Sequence, residues 1–578
     1  MLTPAPTPMT ETQPRDVQVI SFATNTRALR ARSWTRLRFE IEYALSKGTT
    51  SNSYLIQSDK SAITDPPPET FTEIYLRALR QCIDFGKLDY VIIQHFNPNR
   101  LTTLKSLLEL APQVTFVCTS STEANLRLAF SDTDLKVLVV EGGETLDLGQ
   151  GHVLQFITTP TARWPEALCT YDRQTQILYT DKLFASHVCG DEFFDEDWTK
   201  LKEDQRYYYD CLLAPDAPQV QVALNKLSSY QVRMYGVGHG PLIRYGLTEL
   251  TNSYEQWSRT QACREVSVAL LYASAYGNTA TLAHAIALGL TKGGVAVESI
   301  NCESVQPEQI RAALEKADGF IIGSPTIGGH APTPIHTALG IVLSLSDNTK
   351  LAGVFGSYGW SGEAFDLIEG KLRDAGHRMG FDTLKVKFKP TDSDLKLCEE
   401  IGTDFAQLLR KARTQRLPQQ PATLVEQAMG RVVGSLCVLT AKQGDISTGM
   451  MASWVSQATF SPPGLTVAVA KERAIESLMH SGGKFVLNIL GEDNYQDYMR
   501  HFRKNFAPGE DRFKNFSTET ADNGCIVIND ALAYLECSVN QRMECGDHWL
   551  IYATVDNGKL MKPNAMTAVH HRKSGTGY

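Results

Sequence analysis

Apolar and polar positions along the chain fall into three successive regimes. Up to about Cys263, short alternating or apolar runs such as Tyr54–Gln57, Tyr90–Gln94 and Val114–Cys118 predict strands interleaved with helical stretches. From Val266 the alternation becomes regular: Ser267–Ala273 reads as a strand, Thr279–Leu290 as a helix, and Gly319–Gly323, Val354–Gly356 and Lys385–Phe388 as further strands. Strands separated by helices of this length predict a doubly wound parallel sheet. The basic, Gln- and Pro-rich stretch Arg410–Pro421 then breaks the pattern as a linker would. Beyond it the runs Arg431–Thr440, Thr466–Ala470, Lys484–Ile489, Ala533–Cys537 and His548–Val555, punctuated by Gly and Pro, predict a barrel. The expected organisation is a disordered tail over 1–30, a first domain over 31–263, a second over 266–410, a linker over 411–427 and a third domain over 428–578.

Composition changes this picture little. A chain of 578 residues exceeds a single core, and 43% hydrophobic with 21% charged residues is ordinary globular usage. A net charge of -8 and a pI near 6.0 argue against nucleic acid as a partner. No apolar run is long enough to span a bilayer. The Pro- and Thr-rich N-terminus lacks the apolar stretch of a secretory signal. Twelve cysteines without CxxC pairs suit free thiols in a reducing compartment, so a cytoplasmic location is expected.

Candidate chemistry is densest in the middle regime. Ser274, Tyr276, Gly277, Asn278 and Thr279 end its first strand and open a helix. Hydroxyls, a glycine and backbone N–H groups there form an anion cradle. The lysine of a nucleotide P-loop is missing, which favours a monophosphate over a triphosphate with magnesium. A capped helix without ligand is the plain alternative for this loop alone. Two more loops, carrying Ser324, Pro325 and Thr326, then Ser357, Tyr358, Gly359, Trp360 and Gly362, also follow strands. Carboxyl ends of parallel strands are where open α/β sheets bind ligands. Glycines there admit a planar ring, and Tyr358 and Trp360 offer faces to stack on it. This stretch resembles a flavodoxin-like domain, which implies FMN.

Taken together, the three regimes resemble the cyanobacterial flavodiiron proteins. The resemblance implies a multidomain α/β chain: a metallo-β-lactamase-like αββα domain, a flavodoxin-like doubly wound parallel sheet and a flavin-reductase-like split β-barrel. Relatives that carry metal hold two irons through a His-x-Glu-x-Asp-His run, a His before Trp-Pro, a later Asp and a His in a His-Gly turn. The matching positions here are His95, Asn97, Asn99, Arg100, Arg163, Lys182 and His239. Only the two histidines are kept, and three cations stand among positions where relatives supply three carboxylates. Such a pocket is expected to repel iron, so no diiron centre is expected in this subunit. Asp181, one residue from Lys182, would return a carboxylate under a register shift, and His187 lies near. Converging Arg and Lys side chains suggest an anion site instead.

In the third regime, Gly-Met-Met-Ala-Ser453, Ser-Pro-Pro463 and Gly483-Lys-Phe-Val-Leu-Asn488 follow the phrasing of flavin reductases. The resemblance implies a second flavin, FMN or FAD, near Ser453 and Asn488. It also implies a place beside the nicotinamide for His548, which follows Gly546-Asp547. Capping is the alternative reading for Ser453 and Asn488. NADH and NADPH are not distinguished. The implied activity is NAD(P)H:oxygen oxidoreduction, with water as product and a role as a photosynthetic electron sink. Subunits would associate head to tail, as a homo-oligomer or with an iron-bearing paralogue. The alternatives are a flavin-only oxidase giving peroxide, and a regulatory or assembly subunit with an anion pocket.

Overall fold

The computed structural model describes residues 14–34, 47–345, 350–414, 423–504, 506–572 and 574–575. It resolves into two compact units, Met1–Cys263 with Val297–Val305, and Arg264–Ala296 with Gln306–Tyr578.

The first unit is a sandwich of two sheets. The seven-stranded sheet runs in chain order, antiparallel from Asp16–Ala23 to Ser61–Thr64 and parallel through Tyr90–Ile92, Thr115–Cys118 and Val137–Val139. The five-stranded sheet ends with Ile177–Asp181 parallel to Met234–Val237. Leu154, Phe156, Tyr179, Tyr54 and Ile92 fill the space between the sheets. A second core packs Leu79, Leu104, Leu107 and Leu126 from helices onto the first sheet. This is the expected αββα arrangement.

Strands Asp16–Ala23 and Thr26–Ser33 lie within or across the stretch expected to be a disordered tail, so that boundary is corrected. Residues 1–13 fall outside the described part. Arg30 is fully buried and donates to Glu192 O and Gln18 Oε1 at 2.7 Å each. Arg32 pairs with Asp16 at 2.6 Å and Asp191 at 2.7 Å.

The second unit combines a parallel sheet and an antiparallel barrel. Strands Ser267–Tyr272, Gly319–Pro325, Leu351–Tyr358 and Leu384–Lys387 are parallel neighbours. Helices Asn278–Lys292 and Asp392–Thr414 cross closely: a Cβ on Gly289 would sit 2.0 Å from Glu399 O, and one on Gly402 would sit 2.2 Å from Ile286 O. The latter helix extends four residues into the stretch expected to be a linker, 411–427. Residues 415–422 of that stretch fall outside the described part. The barrel is a seven-stranded antiparallel sheet whose first strand, Cys437–Gln443, starts later than the expected Arg431. Its core is lined by Leu439, Val467, Val469, Phe485 and Ile551. No disulfide forms among the described residues. No described helix is long and apolar enough to cross a membrane.

Candidate functional site

At the carboxyl edge of the parallel sheet, the three expected loops meet. Gly277 takes φ +80° and caps the helix Asn278–Lys292, a backbone conformation that disfavours a side chain. Ser274 Oγ accepts the Ala280 N–H at 3.0 Å, shaping the turn. Thr279 Oγ1 lies 2.8 Å from Ser357 Oγ, joining the first loop to the third. The Thr326 N–H donates to Ser357 O at 3.0 Å, joining the second. Ser324 is fully buried and donates to Pro325 O at 2.8 Å. A Cβ on Gly356 would lie 1.9 Å from Ser324 O, so the two strand ends approach closely because position 356 is glycine.

One atom there has no protein partner: Thr326 Oγ1 is buried without a hydrogen bond. Such a group costs about 1–3 kcal/mol unless a ligand satisfies it. Around it stand Tyr276, 88% exposed, and Trp360, 93% exposed. The cradle with its orphan hydroxyl, the glycine turns and the two open rings fit FMN. Tyr358 is half-buried, with its ring edge-on to that of Phe365 at 6.1 Å. The sequence reading missed Phe388, which is half exposed and stands edge-on to Trp360 at 6.3 Å.

The locus matching the family's metal site looks different. Arg100 Nη1 contacts Asp65 Oδ1 at 2.8 Å, and His95 Nδ1 contacts Asp181 Oδ2 at 2.5 Å. Arg100 and Lys182 also approach Asp181, at 3.7 and 3.4 Å. All five side chains are buried. The net-cationic pocket expected from the sequence is therefore corrected: Asp65 and Asp181 balance Arg100 and Lys182. Asp65 comes from the end of another strand and had no motif to announce it. Burial pushes Asp65 up to about 7, and Asp181 pushes the same way. Burial lowers His95 to about 4. Asp181 is held well below the carboxylate range, because His95, Lys182 and Arg100 outweigh its own desolvation.

The other expected positions make contacts of their own. Asn99 is exposed, and Asn97 caps a short turn by accepting the Asn99 N–H at 3.0 Å. Arg163 is half-buried and lies over the Trp164 ring at 5.3 Å. His239 Nδ1 contacts Thr50 O at 2.6 Å, and its ring packs 4.7 Å from that of His187.

Asp65, His95 and Asp181 each bring one donor atom within 4.8 Å of the others. Three donors already engaged with Arg100, Lys182 or one another do not fit two irons, which need several anionic ligands. The adjoining cavity, lined by Trp164, Thr180, Asp181 and Lys182, holds about 10 Å³. That particular cavity has room for one water at most.

In the barrel, His548 Nδ1 contacts Asp547 Oδ1 at 2.8 Å, and its ring lies 4.9 Å from Trp454. Arg572 covers the Trp454 ring at 5.1 Å. Trp454 was not among the expected residues, although it directly follows Ser453. Asn488 is corrected to a structural role. It is fully buried, donates to Val438 O at 3.2 Å and accepts the Ile528 N–H at 2.8 Å. Ser453 lines a cavity of about 1350 Å³ together with Met450, Arg473, Arg512 and His570, and the helix Asp392–Thr414 forms another wall. That volume exceeds an ordinary small-ligand pocket.

Three family models match the chain: ODP family beta lactamase over 49–240, flavodoxin over 270–402 and flavin reductase like domain over 429–576. A diflavin flavoprotein A from Nostoc sp. is 69% identical over 570 residues, 99% of this chain and 100% of its own. Diflavin flavoprotein A 1 of Synechocystis sp. is 42% identical, over 99% of this chain and 100% of its own. The metal-soaked Flv1 flavodiiron core of Synechocystis sp. is 57% identical, covers 69% of this chain and 99% of its own, and superposes with a TM-score of 0.67.

Proposed function

Because the chain belongs to the diflavin flavoprotein A (flavodiiron) family, we propose that it is an NAD(P)H:oxygen oxidoreductase subunit that uses the iron of a paralogous partner. The family assigns it flavin-mediated electron transfer as an oxidoreductase. Reducing equivalents enter at the barrel, where His548 and Trp454 flank the nicotinamide and the 1350 Å³ cavity seats a second flavin, FMN or FAD. They pass to FMN in the three-loop cradle, which accepts hydride-derived electrons in pairs and releases them singly. They then leave for a head-to-tail neighbour in the cytoplasm, where dioxygen is reduced to water.

The observation that supports this reading is the ion-paired cluster of Asp65, His95, Arg100, Asp181 and Lys182, whose three possible donors among the described residues are too few for two irons. The test is metal and flavin analysis of the purified chain, followed by oxygen uptake with NADH and NADPH. The expected result is two flavins and no stoichiometric iron, with slow, peroxide-yielding oxidation. Adding an iron-bearing paralogue should accelerate uptake and suppress peroxide. Two irons per chain, or no change on mixing, would refute the proposal. Peroxide at an unchanged fast rate would identify a flavin-only oxidase.

A further inference from the structure

The second unit contains a buried row of alternating charges that none of the expected sites uses. Lys396 Nζ lies 3.2 Å from Glu399 Oε1, which lies 2.5 Å from Lys292 Nζ. Lys292 Nζ then reaches Glu476 Oε2 at 2.6 Å, and Glu476 Oε1 meets Arg542 Nη1 at 2.8 Å. The five side chains are only 1% to 11% exposed. Lys396 also donates to Ala474 O and Ser477 Oγ at 2.5 Å each. At the far end, Arg542 lies 4.1 Å over the Trp549 ring, beside His548.

The row crosses from the flavodoxin-like sheet to the barrel. Lys292 is the last residue of the helix whose first turn shapes the FMN cradle. Glu399 and Lys396 belong to the helix packed across it. Glu476 and Arg542 belong to the barrel, and Arg473 and Ala474, just before Glu476, wall the large cavity. At 15 residues, the first helix spans about 22 Å as a rigid rod. One end of the rod faces the FMN seat and the other grips the barrel. Lys292 suits that end, since a cation is favoured at a helix C-terminus.

An apolar contact would join the domains with less desolvation cost, because buried ion pairs are weak sources of net stability. Their distinctive property is register. Each glutamate is shared by two cations, so a shift of even one helical residue would leave several charges unpaired. Burial pulls the Lys292 ammonium down, but Glu399 and Glu476 outweigh it and hold Lys292 above its ordinary range.

We propose that Lys292, Glu399 and Glu476 are positioning residues that fix the barrel against the FMN-bearing helix and thereby set the rate of flavin-to-flavin transfer. This rests on the reading of the barrel as the entry point for reducing equivalents. The test compares the full-length holoprotein with its Lys292→Met and Lys292→Arg variants in anaerobic stopped-flow bleaching by NADH and NADPH. Hydrogen–deuterium exchange over 471–480 is measured in parallel.

In the wild type, the barrel flavin bleaches first and the FMN second. Lys292→Met keeps two flavins and the first phase, slows the second at least tenfold and raises exchange over 471–480. Lys292→Arg, which keeps the charge, restores most of the second phase. Should Lys292→Met fail to fold, Lys292→Met/Glu399→Gln, which neutralises one facing carboxylate while Lys396 keeps Ala474 O and Ser477 Oγ and Glu476 keeps Arg542, carries the same test. An unchanged second phase, or equal loss of both phases, overturns the inference. A wild-type chain that bleaches with neither donor would instead overturn the reading of the barrel.

Discussion

At the metal locus of the first unit, Arg100, Lys182, Asp65 and Asp181 neutralise one another within 3.7 Å. At the FMN cradle of the second unit, a buried hydroxyl has no partner and two large rings stand in solvent. Both are places where a flavodiiron fold presents a redox group. The first satisfies its own charges, whereas the second leaves its polar and aromatic groups waiting for a ligand. A seat that is internally complete has no free energy left to gain from a cofactor. An incomplete one binds because binding removes a standing cost.

The sharpest way to break this contrast is Arg100→Met. It strands Asp65 in the core, while Asp181 keeps His95 and Lys182, and should cost about 4 kcal/mol in denaturant unfolding of the first unit. Arg100→Met/Asp65→Asn should recover most of that loss. If the single variant instead gains metal without losing stability, the locus is a dormant metal site.

Asp216 offers a second test in the same unit. Burial raises it to about 7, against Arg163 and the backbone N–H groups of Arg163 and Ala162, which pull it down. A carboxyl raised on folding is most stabilising while protonated. Asp216 should therefore remove about 3 kcal/mol from the first unit's stability as pH rises from about 4 to 7. Asp216→Asn should reduce the slope by that share, as seen in unfolding midpoints across the range.

On the open side, Trp360→Ala should weaken FMN binding about thirtyfold, roughly 2 kcal/mol, in fluorescence titrations. Thr326→Val gives the smallest and most discriminating effect. FMN affinity should fall about fivefold, near 1 kcal/mol, while the flavin-free protein becomes slightly more stable because its orphan hydroxyl is gone. Loss of stability in the flavin-free variant would mean that Thr326 is satisfied within the protein and the seat is not incomplete.

Legibility followed chain distance. The FMN loops each lie in one short segment, so glycine and hydroxyl spacing revealed all three, and they meet as expected. The strand Thr26–Ser33 was hidden because its buried arginines find their partners on other segments, at Gln18, Glu192, Asp16 and Asp191. Asn488 looked like a polar contact for a ligand, but neighbouring strands use up its amide.

From residue order alone come the three-domain architecture and the three loops of the flavodoxin-like domain. These rest on local periodicity and on side chains that act within a few positions of one another. Only the folded chain determined the charge state of the degenerate locus, because Asp65 reaches Arg100 from a separate strand end. Only it assembled the row from Lys396 to Arg542, whose members come from four separate segments. Electrostatic pairing depends on distance in space, and burial strengthens it by excluding water. Neither quantity is written in the order of residues.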